Sequence, residues 1–557
     1  MADLDIAETL LKPPRSPSLQ WLASGRAGWS VATLLVALLV GAPVAVVAAH
    51  LLAPAGEVWG HLAATVLPAY VANSLWLMLG VGTGVVVGGI GTAWLVTMCR
   101  FPGARLLEWA LLLPMAMPAY VVAYTYTGLL DYSGPVQSGL RALFGWPSAR
   151  DYWFPEIRSL GGAVAVMTVV LYPYVYMLAR AAFLEQSVCV LEASRTLGRG
   201  PWRGFAQVAL PLARPAIAAG TALALMETLN DFGTVHYFAV DTFTTGIYRT
   251  WLGLGQPAVA AQLGALLMVF VLVLVVVERA SRGAKRYHHT TSRYRQLPRY
   301  RLRGFGRAAA MAFCFLPVLL GFLAPAAVLA GWAAESGAAV LSDPDFLHIV
   351  GNSFALAVTA SGLAVTVALV MAYAQRLHPT RPTRAAVRFA SLGYAVPGSV
   401  IAVGTLVPLG AIGNAVGIML IGSVAALVYA YLVRFLAVSF NTVEASLAKV
   451  TGSMEAASRT LGQGAWGTLR RVHVPIMRGS LLSAGLLVFV DVMKELPATL
   501  IMRPFNFDTL AVRTFSLASD ERLAAAAAPA LAIVLVGLVP VILLSRAIAR
   551  SRPGGEQ

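Results

Sequence analysis

Long apolar runs alternate with short polar or basic stretches along almost the whole chain. A helix needs about 20 mainly apolar residues to cross a bilayer. Twelve stretches meet that requirement, near 29–52, 70–97, 106–130, 161–183, 212–235, 257–278, 308–332, 350–375, 386–410, 415–438, 479–500 and 524–546. The fifth and eleventh are the weakest, because each carries charges in its later half. The pattern predicts an all-α polytopic membrane protein of about 12 transmembrane helices.

Composition agrees. Of 557 residues 58% are hydrophobic and 12% charged, too few charges to cover a soluble protein of this size. The net charge of +16 raises the possibility of nucleic-acid binding. Position argues against it, because the basic residues gather between apolar runs, as in cytoplasmic loops. Cys99, Cys189 and Cys314 lie too far apart for a disulfide framework or a metal-ligand spacing. The opening "MADLDIAETLLKPPRSPSLQ" has no basic start leading into an apolar core, so 1–28 reads as a cytoplasmic tail, not a cleaved signal.

Lys and Arg set the orientation. Arg100 and Arg105, then Arg195, Arg199, Arg203 and Arg214, then ten basic residues from Arg279 to Arg307, then Arg376, Arg381, Arg384 and Arg388, and finally Arg546, Arg550 and Arg552 alternate with poorly basic segments. Both termini, including the tail 547–557, are therefore expected on the cytoplasmic side of the membrane. The stretch 279–307 is expected to be a basic linker that fixes topology; a lipid-headgroup surface is the alternative.

The chain is also written twice. Asn73-Ser74 matches Asn352-Ser353 and Pro118 matches Pro397 at one offset; Gly198 pairs with Gly462, Pro211 with Pro475 and Arg249-Thr250 with Arg513-Thr514 at a shorter one. The offset changes where the first half has a longer external loop, "DYSGPVQSGLRALFGWPSARDYWFPEIRS". Residues 29–278 and 308–546 thus form two six-span repeats. An even span number makes them parallel, with a pseudo-symmetry axis along the membrane normal.

Between the fourth and fifth span of each repeat, in 185–215 and 444–479, lies a polar motif: "LEASRTLGRGPWRGFAQVALPLARP" and "MEAASRTLGQGAWGTLRRVHVPIMRG". In the first copy a short helix is expected to end at Gly198, and a second to begin at Pro201 and stop at Pro211. Trp202, Phe205 and Val208 would form one apolar ridge flanked by arginines. The product is a helix–turn–helix elbow, parallel to the membrane, that a grooved partner can grip.

These residues resemble the cytoplasmic "EAA" loop of permeases in binding-protein-dependent ABC importers, and the resemblance implies a type I importer fold. The first copy fits through Glu192, Ala193, Ser194, Gly198 and Pro211. The second fits through Glu455, Ala456, Ala457, Gly462 and Pro475, with its register shifted, since Ala456 aligns with Glu192. The resemblance implies that each loop seats in a cleft of a separate ATPase, two copies in all, and that a periplasmic or extracellular substrate-binding protein docks outside. None of the four lysines, Lys12, Lys285, Lys449 and Lys494, follows a glycine, so no phosphate-cradling Gly-Lys-Ser/Thr is present. The chain is expected to be a transport subunit, not an enzyme, and to bind no cofactor; ATP and Mg belong to the partner.

Each elbow is followed by a span with matched acids: Glu227 with Asp491, and Asp231 with Glu495. Within each span the two acids, Glu227 and Asp231 or Asp491 and Glu495, are four residues apart and would share a helix face. Buried ionisable groups mark pathways or internal ion pairs. A carboxylate-lined cation path is one reading. Neutralisation by Arg249, Arg513 and Lys494, bracing a gate, is the reading chemistry alone favours. No resident metal site is expected. The blocks "LNDFGTVHYFAVDTFTTGIYRTWLGLGQPA" and "DVMKELPATLIMRPFNFDTLAVRTFSLASDERLAAAA" look like those of fused, twelve-span ferric-iron permeases. Related fused permeases for thiamine or aminophosphonates are the alternative cargoes. A twelve-span transporter driven by an ion gradient is the rival class, and a signalling or scaffold membrane protein a weaker third.

Overall fold

The computed structural model describes residues 26–550, except 53, 55, 185, 187–195, 197–199, 283–298, 337–342 and 391–392. Among these, eleven helices are long and apolar enough to cross a membrane, and a helix pair bent by 91° at Met117-Pro118 supplies a twelfth. In chain order the spans are Gly28–Leu52, Leu67–Met98, the bent pair Ala104–Ala116 with Ala119–Phe144, Leu160–Leu184, Trp202–Asn230, Pro257–Ser281, Gly304–Glu335, Pro344–Leu377, Gly398–Val416, Val424–Leu447, Ala465–Met493 and Leu523–Leu543.

Two expectations about span ends change. The third and ninth spans, expected as single helices over 106–130 and 386–410, are broken at matched prolines. A short helix (Ala104–Ala110, Arg381–Ala390) and a 3-10 turn precede Pro118 and Pro397, each of which caps the next helix in an extended conformation. Proline has no N–H to donate and forces the preceding residue out of the helical region, so the chain turns there. The fifth and eleventh spans begin earlier than 212 and 479 and stop at Asn230 and Met493. Short helices, Gly233–Tyr237 and Pro497–Met502, follow each break.

Packing divides the chain into two compact units that interleave pieces of both repeats. One comprises Met1–Ala42, Thr359–Tyr394 and Tyr431–Val488; the other comprises Pro43–Val358, Ala395–Ala430 and Phe489–Gln557. In the larger unit Tyr172 and Tyr176, on one face of the fourth span, donate to the carbonyls of Leu111 and Glu108. One turn on, Arg180 pairs with the Glu108 carboxylate at 2.8 Å. The duplicated asparagines do matching work there: Asn73 Nδ2 donates to the Asp241 carbonyl at 2.9 Å and Asn352 Nδ2 to that of Asp508 at 3.2 Å. Most of the linker 279–307 lies outside the described residues, but Tyr300-Arg301 pairs as a two-residue parallel strand with Cys99-Arg100.

Candidate coupling elbows and intramembrane carboxylates

The second elbow lies in the smaller unit. Gly452–Thr460 is helical. It ends where Gly462 adopts φ +79, a left-handed conformation that suits glycine. The Gln463 amide reaches back to the Ser458 carbonyl at 3.1 Å, closing the helix as Gly462 reverses the chain. Ala456, Ala457, Gly462 and Pro475 are exposed. So are Met454, Leu461 and Trp466, the last two at 79% and 62%, which leaves an apolar face open for contact. In the first elbow Glu192, Ala193, Ser194 and Gly198 lie outside the described residues. Pro211 is described and exposed.

The expectation that Pro211 stops the elbow helix is corrected. Trp202–Asn230 and Ala465–Met493 each run through elbow and span without a stop. A single π-turn, Phe205–Ala209 or Leu469–His473, ends two residues before Pro211 or Pro475. There the Leu210 amide bonds to Phe205 and the Val474 amide to Leu469, five residues back. Widening the turn by one residue gives the proline ring room inside a continuing helix. The apolar ridge is corrected too. Trp202 is 71% exposed, but Phe205 turns inward, its ring 4.7 Å from Trp94 and 6.4 Å from Phe183.

Glu455 is largely enclosed, its side chain 15% exposed. Its Oε1 sits 2.6 Å from Arg376 Nε and 3.2 Å from His473 Nε2, and its Oε2 3.8 Å from Arg459 Nη2. The first is a close ion-pair approach and the second a contact with an imidazole, charged only when protonated; neither meets the geometry of a hydrogen bond. His473 is fully buried and packs on Tyr373, ring centroids 5.1 Å apart.

The matched acids lie in the larger unit and fall into two kinds. Asp231 and Glu495 sit at the breaks after the fifth and eleventh spans and cap the short helices that follow. Asp231 Oδ1 accepts from the Thr234 and Val235 amides at 2.9 and 3.2 Å, and Oδ2 from the Thr234 hydroxyl at 3.0 Å. Glu495 accepts from the Ala498 and Thr499 amides, both at 3.0 Å, and from the Thr499 hydroxyl at 2.6 Å. Tyr120 lies in the field of both, its hydroxyl buried without a hydrogen-bond partner. Asp491 and Glu227 flank a cation. Lys494 Nζ is 2.9 Å from Asp491, with Glu227 and Tyr174 among its electrostatic neighbours. Arg249, expected to neutralise these acids, pairs instead with Asp241 at 2.8 Å. Among the described residues no group of three or more His, Cys, Asp or Glu side chains is placed to hold a metal ion.

The family described as binding-protein-dependent transport system inner membrane component matches residues 84–282. The molybdenum transport system permease protein ModB of Escherichia coli is 33% identical over 204 residues, which are 35% of this chain and 86% of that protein. The chain belongs to this family. The Fe(3+)-transport system permease protein FbpB 2 of Haemophilus influenzae is 27% identical over 479 residues, 85% of this chain and 89% of that protein. The sulfate transport system permease protein CysT of Escherichia coli is 33% identical over 153 residues, 28% of this chain and 52% of that protein.

The chain is thus a multi-pass inner-membrane permease subunit of an ABC importer, of the fused ferric type, in a family that works with a substrate-binding protein and an ATPase. Sequence reasoning missed three residues of this permease that organise its second elbow: Tyr373, Arg376 and His473. Arg376 read only as one of several charges setting topology. A useful signal was available, because Tyr373 and Arg376 share one face at the end of a span, where apolar residues suffice for membrane contact.

Proposed function

We propose that this permease imports ferric iron. Two copies of the ATPase seat on the elbows at 185–215 and 444–479, and both termini face the cytoplasm. The observation that carries the cargo assignment is coverage. The likeness to the Fe(3+) permease runs through both repeats, whereas the molybdenum and sulfate relatives align over about a third of the chain. The acids at the fifth and eleventh spans support a cationic cargo, since oxygen donors suit hard, highly charged ions. Lys494 already neutralises part of that charge, so the site guides a cation without holding it tightly.

Nucleotide-driven closure of the ATPases moves the elbows. Because each elbow helix continues into a span, its displacement is delivered straight to the segment carrying the matched acids. Differential contacts in the two nucleotide states then bias an inward against an outward opening. Proteoliposomes holding the permease, its ATPase and its binding protein test the reading. Labelled iron should accumulate only with internal ATP and should resist competition by molybdate or sulfate. Uptake that follows a proton or sodium gradient without ATP would overturn the importer mechanism. ATP-driven uptake of an oxyanion, thiamine or an aminophosphonate in place of iron would overturn the cargo.

A further inference from the structure

We infer that Glu455 is a positioning residue and not a contact for the ATPase: through Arg376 it fixes the second elbow to the last turn of the eighth span, so that the two move as one body. The inference rests on the coupling role proposed for the elbow and names the route by which its motion leaves it.

Arg376 is the centre of the joint. It sits one residue before the end of the helix Pro344–Leu377, and its guanidinium serves three segments. Nη1 donates to the carbonyl of Leu447, the last residue of the tenth span, Nη2 to that of Val450 in the turn beyond it, and Nε faces Glu455 in the first helix of the second elbow. Carbonyls at a helix C-terminus lack intrahelical partners and attract a cation. Glu455 occupies the first turn of its own helix, where a negative charge is favoured. The pair therefore joins the negative end of one helix to the positive end of another. A planar fork with several donors can do this; a lysine ammonium cannot span the same set.

A second tie lies one turn back on the same span. The Tyr373 hydroxyl donates to the carbonyl of Ala465, the first residue of the second elbow helix, at 2.8 Å. Tyr373 and Arg376 are three residues apart and share a face, so one face of the eighth span holds both elbow helices. His473, buried between Tyr373 and Glu455, fills the space between the two ties. A carboxylate enclosed in this way is turned away from any partner, while Ala456, Ala457 and Leu461 on the same elbow remain open.

At one matched position the first repeat also ties span to elbow, by aromatic packing. At the offset that relates Asn73 to Asn352, Tyr373 corresponds to Trp94 and Arg376 to Thr97. Trp94, on the second span, packs on Phe205 of the first elbow and on Phe183. Among the described residues the first joint is aromatic, and the charge substitutions below address the second.

The test uses the assembled complex in proteoliposomes, with Glu455→Gln, Arg376→Lys and the exchange Glu455→Arg with Arg376→Glu. Two quantities are read: the ATPase co-isolated with the permease, and the ATP hydrolysed per iron imported. Both single variants are expected to retain the ATPase at the wild-type level and to raise the ATP-to-iron ratio about tenfold, within the usual range of coupling effects. The exchange is expected to stay as uncoupled as the single variants, because a carboxylate at position 376 would face the Leu447 and Val450 carbonyls. Loss of the ATPase from Glu455→Gln with Arg376→Lys unaffected would make Glu455 a partner contact and overturn the inference, as would wild-type coupling in both. If the charge variants fail to accumulate, Tyr373→Phe removes one hydroxyl from the same face and must also raise the ratio; an unchanged ratio contradicts the joint. Wild-type iron uptake is measured first. Its absence defeats the ferric assignment alone, and the joint is then read from binding-protein stimulation of ATP hydrolysis, expected in the wild type and lost in the variants.

Discussion

At the scale of single residues, this permease places unusual conformations and charges where two elements must be held at an angle. Gly462 lies in the left-handed region with open space around its Cα. A side chain there meets no neighbour but costs about 1–2 kcal/mol of backbone strain. Gly462→Ala should lower the thermal midpoint slightly and leave most uptake. Gly462→Asp, which adds a charge to the exposed turn, should abolish uptake while the protein still reaches the membrane; normal uptake would remove the turn from the coupling surface. Lys494→Met leaves Asp491, a carboxylate 21% exposed, without its 2.9 Å partner. Breaking one side of a buried pair costs about 3–5 kcal/mol, and partial exposure lowers that figure. The variant should melt earlier, and Asp491→Asn should restore part of the loss in the double variant, as a thermal unfolding series would show. Sequence spacing put Lys494 among the candidate counter-ions correctly. It misassigned Arg249, because a residue eight positions away in the same chain segment, Asp241, offered a nearer carboxylate.

At the scale of elements, prolines decide more than hydropathy reveals. The apolar runs located the spans, since their length and composition are dictated by the bilayer. Their ends were not legible, because hydropathy does not register hydrogen-bond satisfaction. Pro118 and Pro397 break apolar runs that read as continuous, whereas Pro211 sits inside a helix that was expected to stop there, and Pro475 inside its counterpart. The difference lies in the residues before them: a single π-turn absorbs the second pair, and a 3-10 turn with an extended residue follows from the first. Pro475→Ala removes the reason for the π-turn. The segment Leu469–His473 should then relax toward α-helix and rotate His473 away from Tyr373, lowering uptake without lowering the thermal midpoint; unchanged uptake would show that the wide turn has no part in coupling. The carboxylates at the span breaks act as caps. Glu495→Ala exposes the Ala498 and Thr499 amides and should destabilise by about 1–2 kcal/mol, whereas Glu495→Gln, which still accepts hydrogen bonds, should lose less. Equal losses in the two variants would mean that charge, not capping, is what the position requires.

At the scale of the whole molecule, the duplication was readable because offsets between matched residues are arithmetic. Asn73 and Asn352 then proved to make the same bond to Asp241 and Asp508. What the duplication concealed is that matched positions carry different chemistry: Trp94 packs on Phe205 where Tyr373 bonds to Ala465, and Thr97 stands where Arg376 pairs with Glu455. Counting charges does not distinguish an arginine that sets topology from one that clamps an elbow; only the shared face of Tyr373 and Arg376 pointed to it. Coupling requires the elbow to present an open face to an ATPase on the inner side of the membrane. That is tested most directly by thiol labelling of Leu461→Cys, 79% exposed in the free chain, with Cys99, Cys189 and Cys314 replaced by serine. A membrane-impermeant reagent should label inside-out vesicles stripped of the ATPase, should be blocked when the ATPase is restored, and should leave right-side-out vesicles untouched. Labelling of right-side-out vesicles, or labelling that the ATPase does not diminish, would contradict it.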